Sequence, residues 1–208
     1  MRATITTAMM ALAAGALRGC ATVAAPEPSP LVRLDTEAGP ILLALDLVHA
    51  PVSTCNFLTY VQGGDYDGGS FFRTVVRATN ANPNPIDVIQ AATPRGSDDA
   101  SRPPIPLERT RDTGLSHVAG TISMARDGPD SATSSFFIVT QDTPSLDFGG
   151  GRNPDGQGFA AFGQVVGDLD IVRAIQARPA DAEEQLKPPV KIVSARLNGP
   201  VPIACQKP

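Results

Sequence analysis

The sequence predicts a mainly β fold, a closed antiparallel barrel capped by two α-helices. Three observations point there. Short apolar runs bounded by turn residues recur from Leu31 to Leu197, the pattern of strands joined by tight connections. Only two stretches carry helical spacing, one early and one late in the chain. Gly 19 and Pro 20 are abundant and gather in loops, tails and strand ends, which disfavours a helical bundle. At 208 residues and 42% hydrophobic, the chain has the material for one barrel domain, residues 31–198, with a short tail at 199–208.

The first residues differ in kind. Met1-Arg2 precedes an apolar run, Ala8–Leu17, and then small residues, Gly19-Cys20-Ala21-Thr22-Val23-Ala24-Ala25. A basic start, apolar middle and small-residue end read as a signal peptide over residues 1–20. The apolar run is too short for a stable membrane span. Leu17-Arg18-Gly19-Cys20 resembles a bacterial lipoprotein box, which would place a lipid on Cys20; ordinary cleavage near Val23-Ala24-Ala25 is the other route. Either predicts export to the periplasm, with membrane contact only through that lipid. Residues 21–30, ATVAAPEPSP, read as an extended spacer.

Export governs the cysteines. With Cys20 lipidated or removed, Cys55 and Cys205 remain as a pair in an oxidising compartment. A disulfide would pin the tail to the body; the other reading is two separate thiols. No spacing resembles a zinc site, and neither His49 nor His117 has a ligand-like neighbour, so no metal and no cofactor are expected. Net charge is −4 with no basic run, which excludes nucleic acid as a partner. A monomer is the default.

In order along the chain, Leu31–Thr36 and Pro40–Leu45 form a hairpin across Glu37-Ala38-Gly39. Pro51 suits a first helical turn, and Val52, Cys55, Leu58 and Val61 recur at helical spacing until Gly63-Gly64 ends the helix. Asp67-Gly68-Gly69 turns the chain into Ser70–Arg77, where alternation sets Phe71, Arg73 and Val75 on one face. Ile86–Ala91 is the next strand and carries Gln90. Thr93–Arg109 is polar and proline-rich, with no helix. Gly120–Ala125 and Phe136–Thr140 are paired strands. Ile122 and Met124 share a face in the first, and adjacent Phe136 and Phe137 point oppositely in the second. One of these rings fills the interior and the other lines a groove or second layer. Phe148–Gly158 is a glycine-dense surface loop before a strand, Phe159–Val166. Asp168 is the expected N-cap of a helix over Leu169–Ala177, and Pro188–Leu197 is the last strand.

Arg73 is the odd residue, a cation sharing a strand face with phenylalanine and valine. Strand pattern alone allows a rim residue that snorkels to water or a functional one. Five ordered stretches then resemble one family, the cyclophilin-type peptidyl-prolyl isomerases. They are PVSTCNFLTYVQGGDYDG (Pro51–Gly68), FFRTVV (Phe71–Val76), VIQAA (Val88–Ala92), GTISMARDGPDSATSSFFIVT (Gly120–Thr140) and FAAFGQVVGDLDIVRAI (Phe159–Ile175). The resemblance implies an eight-stranded antiparallel barrel with two capping helices and cis/trans isomerisation of peptide bonds preceding proline. It implies that Arg73 is the catalytic arginine, Gln90 the substrate-orienting glutamine and Phe137 the floor of the proline pocket, leaving Phe136 to the core. Val88, Met124, Leu146 and Phe159 fall on further pocket positions, and Ala125 and Arg126 on the rim along which a peptide lies.

Several positions depart from the family. Thr79–Pro85 lies in an insertion. Asp87 falls where an aromatic wall is usual, Ser135 where glutamine is, Ser145 where tryptophan is common, and Phe159 where histidine is. The implied chemistry needs no nucleophile. An amide rotates over roughly 18–20 kcal/mol, and a site that binds the twisted form better than either planar form lowers that barrier. A guanidinium can donate to the prolyl nitrogen once its lone pair is freed. The partners are proline-containing polypeptides. Two readings follow: an isomerase, or a low-activity proline-binding module or chaperone on the same barrel if Asp87 replaces the wall. No spacing pairs a serine or cysteine nucleophile with a histidine, so a hydrolase is disfavoured.

Overall fold

The computed structural model describes residues 29–99, 101–167 and 169–206. The signal peptide, Cys20 and most of the spacer lie outside these residues. Eight strands run β1 Leu31–Thr36, β2 Gly39–Leu45, β3 Ser70–Val75, β4 Val88–Ala92, β5 Thr121–Met124, β6 Phe136–Val139, β7 Ala160–Val165 and β8 Gln185–Asn198. They pair antiparallel and close in the order β1-β2-β7-β5-β6-β4-β3-β8, so no strand edge is left open. The capping helices are α1 Pro51–Gln62 and α3 Asp170–Gln176, with a single turn, α2 Thr110–Thr113, between them.

Alternation explains the interior. Val32 and Leu34 of β1, Ile41, Leu43 and Leu45 of β2, Ile122 and Met124 of β5 and Phe162 of β7 are all buried in one cluster. The α1 ring Phe57 lies 5.3 Å from Phe136, edge to face, and 5.4 Å from Phe162. Each such buried ring contributes about 1.5–3 kcal/mol. The adjacent Phe137 belongs to a second cluster on the outer wall, with Val75, Ile86, Val88, Val139 and Leu146. The pleat thus sends one ring to the core and its neighbour to a groove.

Helix α1 begins after Ala50, which offers no capping side chain. Its free N–H groups are satisfied from a distance: the Glu108 carboxylate accepts from Val52 N at 2.9 Å and Ser53 N at 2.7 Å, where a negative charge also suits the helix dipole. Cys55 and Cys205 form a disulfide with Cα atoms 5.0 Å apart, a spacing ordinary for such bonds. It ties the tail to α1.

Two local expectations change. Helix α3 starts after Leu169, with no side-chain cap bond, and Asp168 lies outside the described residues. In β3 the register steps between Phe71, opposite Ala91, and Arg73, opposite Gln90. Phe72 is the extra residue of a bulge. Strict alternation puts Phe71 and Arg73 on one face; the bulge instead leaves Phe71 in the interior and sends Val75 to the outer cluster.

Candidate active site

Strands β3, β4 and β6 are neighbours in the barrel, and their outer faces build one wall of a cleft of about 460 Å³. Phe137 forms its floor, 5% exposed. Ile86, Val88, Leu146 and Phe159 complete the apolar part of the lining. The Phe159 ring meets Phe137 edge to face at 5.5 Å, a geometry favoured by ring quadrupoles. Behind Phe137 the His117 ring stacks at 6.0 Å and 19°. His117 is pinned on both nitrogens, with Nδ1 2.6 Å from Asp147 Oδ1 and Nε2 2.9 Å from Ser123 Oγ.

That Ser123–His117–Asp147 chain is a pairing the spacing did not reveal. Ser123 is fully buried and His117 is 1% exposed, so no acyl group can reach the hydroxyl. The chain holds His117 in place behind the floor ring.

The polar side of the cleft is built on the β3–β4 register. Arg73 stands opposite Gln90, and its Nη1 donates to Gln90 Oε1 at 3.2 Å. Gln90 Nε2 donates to Ser135 Oγ at 3.1 Å, and Ser135 in turn donates to the Ala91 carbonyl at 3.0 Å. The serine that replaces the family's glutamine therefore orients Gln90 through its amide. On the other side, Arg73 Nε donates to Glu184 Oε2 at 3.1 Å, and Nη2 donates to the same oxygen. Three of the five guanidinium N–H groups are engaged and two remain for a ligand. The Arg73 side chain is 32% exposed, open to the cleft yet held on two sides.

Glu184 escapes sequence reading. It lies between α3 and β8 at φ +64°, a left-handed conformation that costs a non-glycine residue about 1–2 kcal/mol. Its second oxygen accepts from Asn80 Nδ2 at 2.5 Å. Asn80 Oδ1 accepts from Arg152 Nη1 at 2.7 Å. Burial first, and the like charge of Arg73 second, hold the Arg152 guanidinium below its usual pKa. Partners this far apart in sequence leave no periodic signal. Arg152 could have been suspected only as the cation of the glycine-dense loop.

Of the expected residues, Arg73, Gln90, Val88, Ala125, Arg126, Phe137, Leu146 and Phe159 all line the cleft. Met124 does not: β5 alternation turns it inward with Ile122, 1% exposed, while Ser123 and Ala125 take the outer side. Asp87 is not the cleft wall either. Its carboxylate accepts from Arg77 N at 2.9 Å and pairs with Arg77 Nε at 3.1 Å. The wall comes instead from Ile86 and Val88, which share the face of Gln90 at every second residue. Arg126 contributes backbone. Its guanidinium is locked against Asp155, at 2.7 and 2.9 Å, and the Gly158 carbonyl, and lies 5.0 Å over the Phe159 ring. Hydrogen bonding from Arg126 comes first in holding the Asp155 carboxyl below its usual pKa.

Among the described residues no cluster of His, Cys, Asp and Glu could hold a metal ion. What the cleft offers is an apolar slot with two free guanidinium donors beside it, a set able to seat a small ring and donate to an atom at its edge.

Comparison with known proteins agrees with this geometry. Residues 31–197 match the family model of the Cyclophilin type peptidyl-prolyl cis-trans isomerase/CLD. A peptidyl-prolyl cis-trans isomerase of Streptomyces antibioticus is 33% identical, covering 81% of this chain and 98% of that protein. Peptidyl-prolyl cis-trans isomerase A of Dickeya dadantii is 40% identical, covering 69% and 70% respectively. A crystal structure of a cyclophilin type peptidyl-prolyl cis-trans isomerase from Cryptosporidium parvum superposes with TM-score 0.67 at 19% identity, over 83% of this chain and 99% of that one; it attests the fold. The match along the whole barrel places the chain in the cyclophilin-type peptidyl-prolyl cis-trans isomerase family.

Proposed function

We propose that this chain accelerates rotation of Xaa-Pro bonds in exported polypeptides, acting as a monomer in the periplasm. The observation that carries the reading is Arg73, held by Gln90 and Glu184 beside the Phe137 floor with two N–H groups free. In the planar amide the prolyl nitrogen shares its lone pair with the carbonyl. Rotation ends that sharing, and the nitrogen becomes an acceptor for a guanidinium donor. This bond exists only in the twisted state, so it lowers the barrier without tightening the ground state. Phe137, Val88 and Leu146 hold the proline ring while the preceding carbonyl turns, and Gln90 keeps the guanidinium in place. Ala125 and Arg126 give the backbone rim.

Export is supported by the composition of residues 1–25 and by the Cys55–Cys205 bond, which fits an oxidising compartment; a lipid on Cys20 would tether the domain to a membrane. The binding-module reading leaned on Asp87 as the wall, and Asp87 is turned to Arg77. A protease-coupled assay on a short Xaa-Pro peptide tests the isomerase. A charged hydrogen bond aimed at the reacting atom contributes about 10²–10³ in rate. Arg73→Ala should lose that factor while keeping its circular dichroism; turnover within threefold of wild type would refute the assignment.

A further inference from the structure

Two segments outside the barrel strands meet at one end of the cleft. The Thr79–Pro85 segment precedes β4, and the Phe148–Gly158 loop precedes β7. They are latched to each other: Asn84 Nδ2 donates to the Gly151 carbonyl at 2.9 Å, and Arg152 Nη1 donates back to Asn80 Oδ1 at 2.7 Å. An added Cβ at Gly151 would lie 2.5 Å from Asn84 Nδ2, so any side chain there would have to displace the Asn84 amide that makes this bond. The latch delivers Arg152 to the lining. Its Nη1 spends its bonds on Asn80 Oδ1 and, at 3.4 Å, the Asn84 carbonyl. Among the described residues, Nε and Nη2 have no partner and no carboxylate comes within 4.0 Å.

A half-buried guanidinium near a second guanidinium, with no anion of its own, is an unfavourable arrangement. Burial and Arg73 both act against its charge, and Glu184 only partly offsets them. Other cations about the cleft are neutralised: Arg73 by Glu184 and Arg126 by Asp155. The carboxylates of the lining that could answer Arg152, Asp98 and Asp127, lie elsewhere. Asp98 follows β4 while Asn84 precedes it, so the length of that strand separates the acidic end from the cationic one.

We propose that Arg152 makes this cleft select Xaa-Pro segments that carry an aspartate or glutamate within two residues of the proline. The inference rests on the isomerase reading. The side-chain carboxylate would complete the charge of Arg152 with its free Nε and Nη2, in the parallel fork that suits guanidinium and carboxylate. Asp98 and Asp127 would repel it from the other end and so fix the direction in which it enters.

The test uses the full chain and peptides blocked at both ends, so that no terminal carboxylate competes. Glutamate and glutamine are placed in turn at the two positions before and the two after the proline. Isomerisation is read by exchange NMR without a coupling protease. At low salt the glutamate peptide should exceed its glutamine twin by about tenfold in kcat/KM at one of the four positions, and the excess should shrink at ~0.5 M salt. Arg152→Gln should bring the ratio to about one, and Arg152→Lys, which keeps the charge without the fork, should retain part of it. A wild-type ratio near one at all four positions, or a ratio that survives Arg152→Gln, overturns the proposal while leaving the isomerase standing. Turnover of no peptide overturns both.

Discussion

Replacing Glu184 separates what holds Arg73 from what Arg73 does. The pair is neither fully exposed nor fully buried, with side chains 32% and 23% exposed. Exposed pairs contribute about 0–1 kcal/mol and breaking a buried one costs about 3–5 kcal/mol, so Glu184→Ala should lower stability by about 1–2 kcal/mol. Alanine keeps the Cβ and so keeps the left-handed strain at this position; only Glu184→Gly would relieve it. Activity feels two opposed effects. Removing the anion strengthens the positive field at the prolyl nitrogen. It also leaves Arg73 anchored by a single bond of 3.2 Å to Gln90, free to swing about its remaining torsions. A displacement of 1 Å can cost up to about a hundredfold in a positioned reaction, whereas an extra unpaired charge in a cleft open to water is screened. Positioning should win, with kcat falling about five- to twentyfold and KM little changed. Glu184→Gln, which keeps an oxygen for Nε and Nη2, should recover most of the rate. The assay is exchange NMR on one Xaa-Pro peptide, with melting followed in parallel. If Glu184→Ala were faster than wild type, the carboxylate would be restraining Arg73, and the positioning argument would fail.

Three further outcomes follow from the same structure. Phe137→Ala removes a ring that is 5% exposed and touched by Phe159 and His117; it should cost about 3–5 kcal/mol in denaturant unfolding and raise KM, and an unchanged KM would remove Phe137 from the floor. Reduction, or Cys205→Ser, opens a link spanning 150 residues and should lower stability by about 2–5 kcal/mol, with turnover preserved because the bond lies at α1 and away from the cleft; equal melting of oxidised and reduced protein would contradict this. The Asp155 carboxyl is held below its ordinary pKa, first by the hydrogen bonds from Arg126. A depressed folded value means the stabilisation is complete above the unfolded value of about 3.9 and is lost as pH falls through the lower folded one. The 148–158 loop should therefore loosen below about pH 4, read as faster amide exchange there, and Asp155→Asn should show the looser loop at neutral pH.

The barrel was legible because its signals are local and periodic. Alternation in β1, β2 and β5, helical spacing from Val52 to Val61, and the split between Phe136 and Phe137 all act within a few residues. What failed was local geometry that breaks the period. The bulge at Phe72 is invisible to alternation, and the resemblance sets Asp87 at the wall although the pleat turns it to Arg77. Met124 shows the converse, since alternation already paired it with Ile122 on the inner face and resemblance alone moved it to the cleft. The charge network could not be read at all. Arg73 meets Glu184 across 111 positions and Asn80 meets it across 104, and such pairs arise only from closure of the barrel.

The bulge is also the feature on which the site depends. A regular β3 would have carried Phe71 and Arg73 to the same side of the wall, forcing either a cation into a core of stacked rings or an aromatic ring out of it. An unpaired charge in such a core costs several kcal/mol, and a ring withdrawn from it forfeits about 1.5–3 kcal/mol. One inserted residue resolves the conflict: Phe71 keeps its edge-to-face contact with Phe136 at 6.0 Å, and Arg73 reaches Gln90 and Glu184 outside. Phe72 therefore acts through register, and deleting it should abolish turnover by turning the guanidinium away from Phe137, even where the barrel still closes.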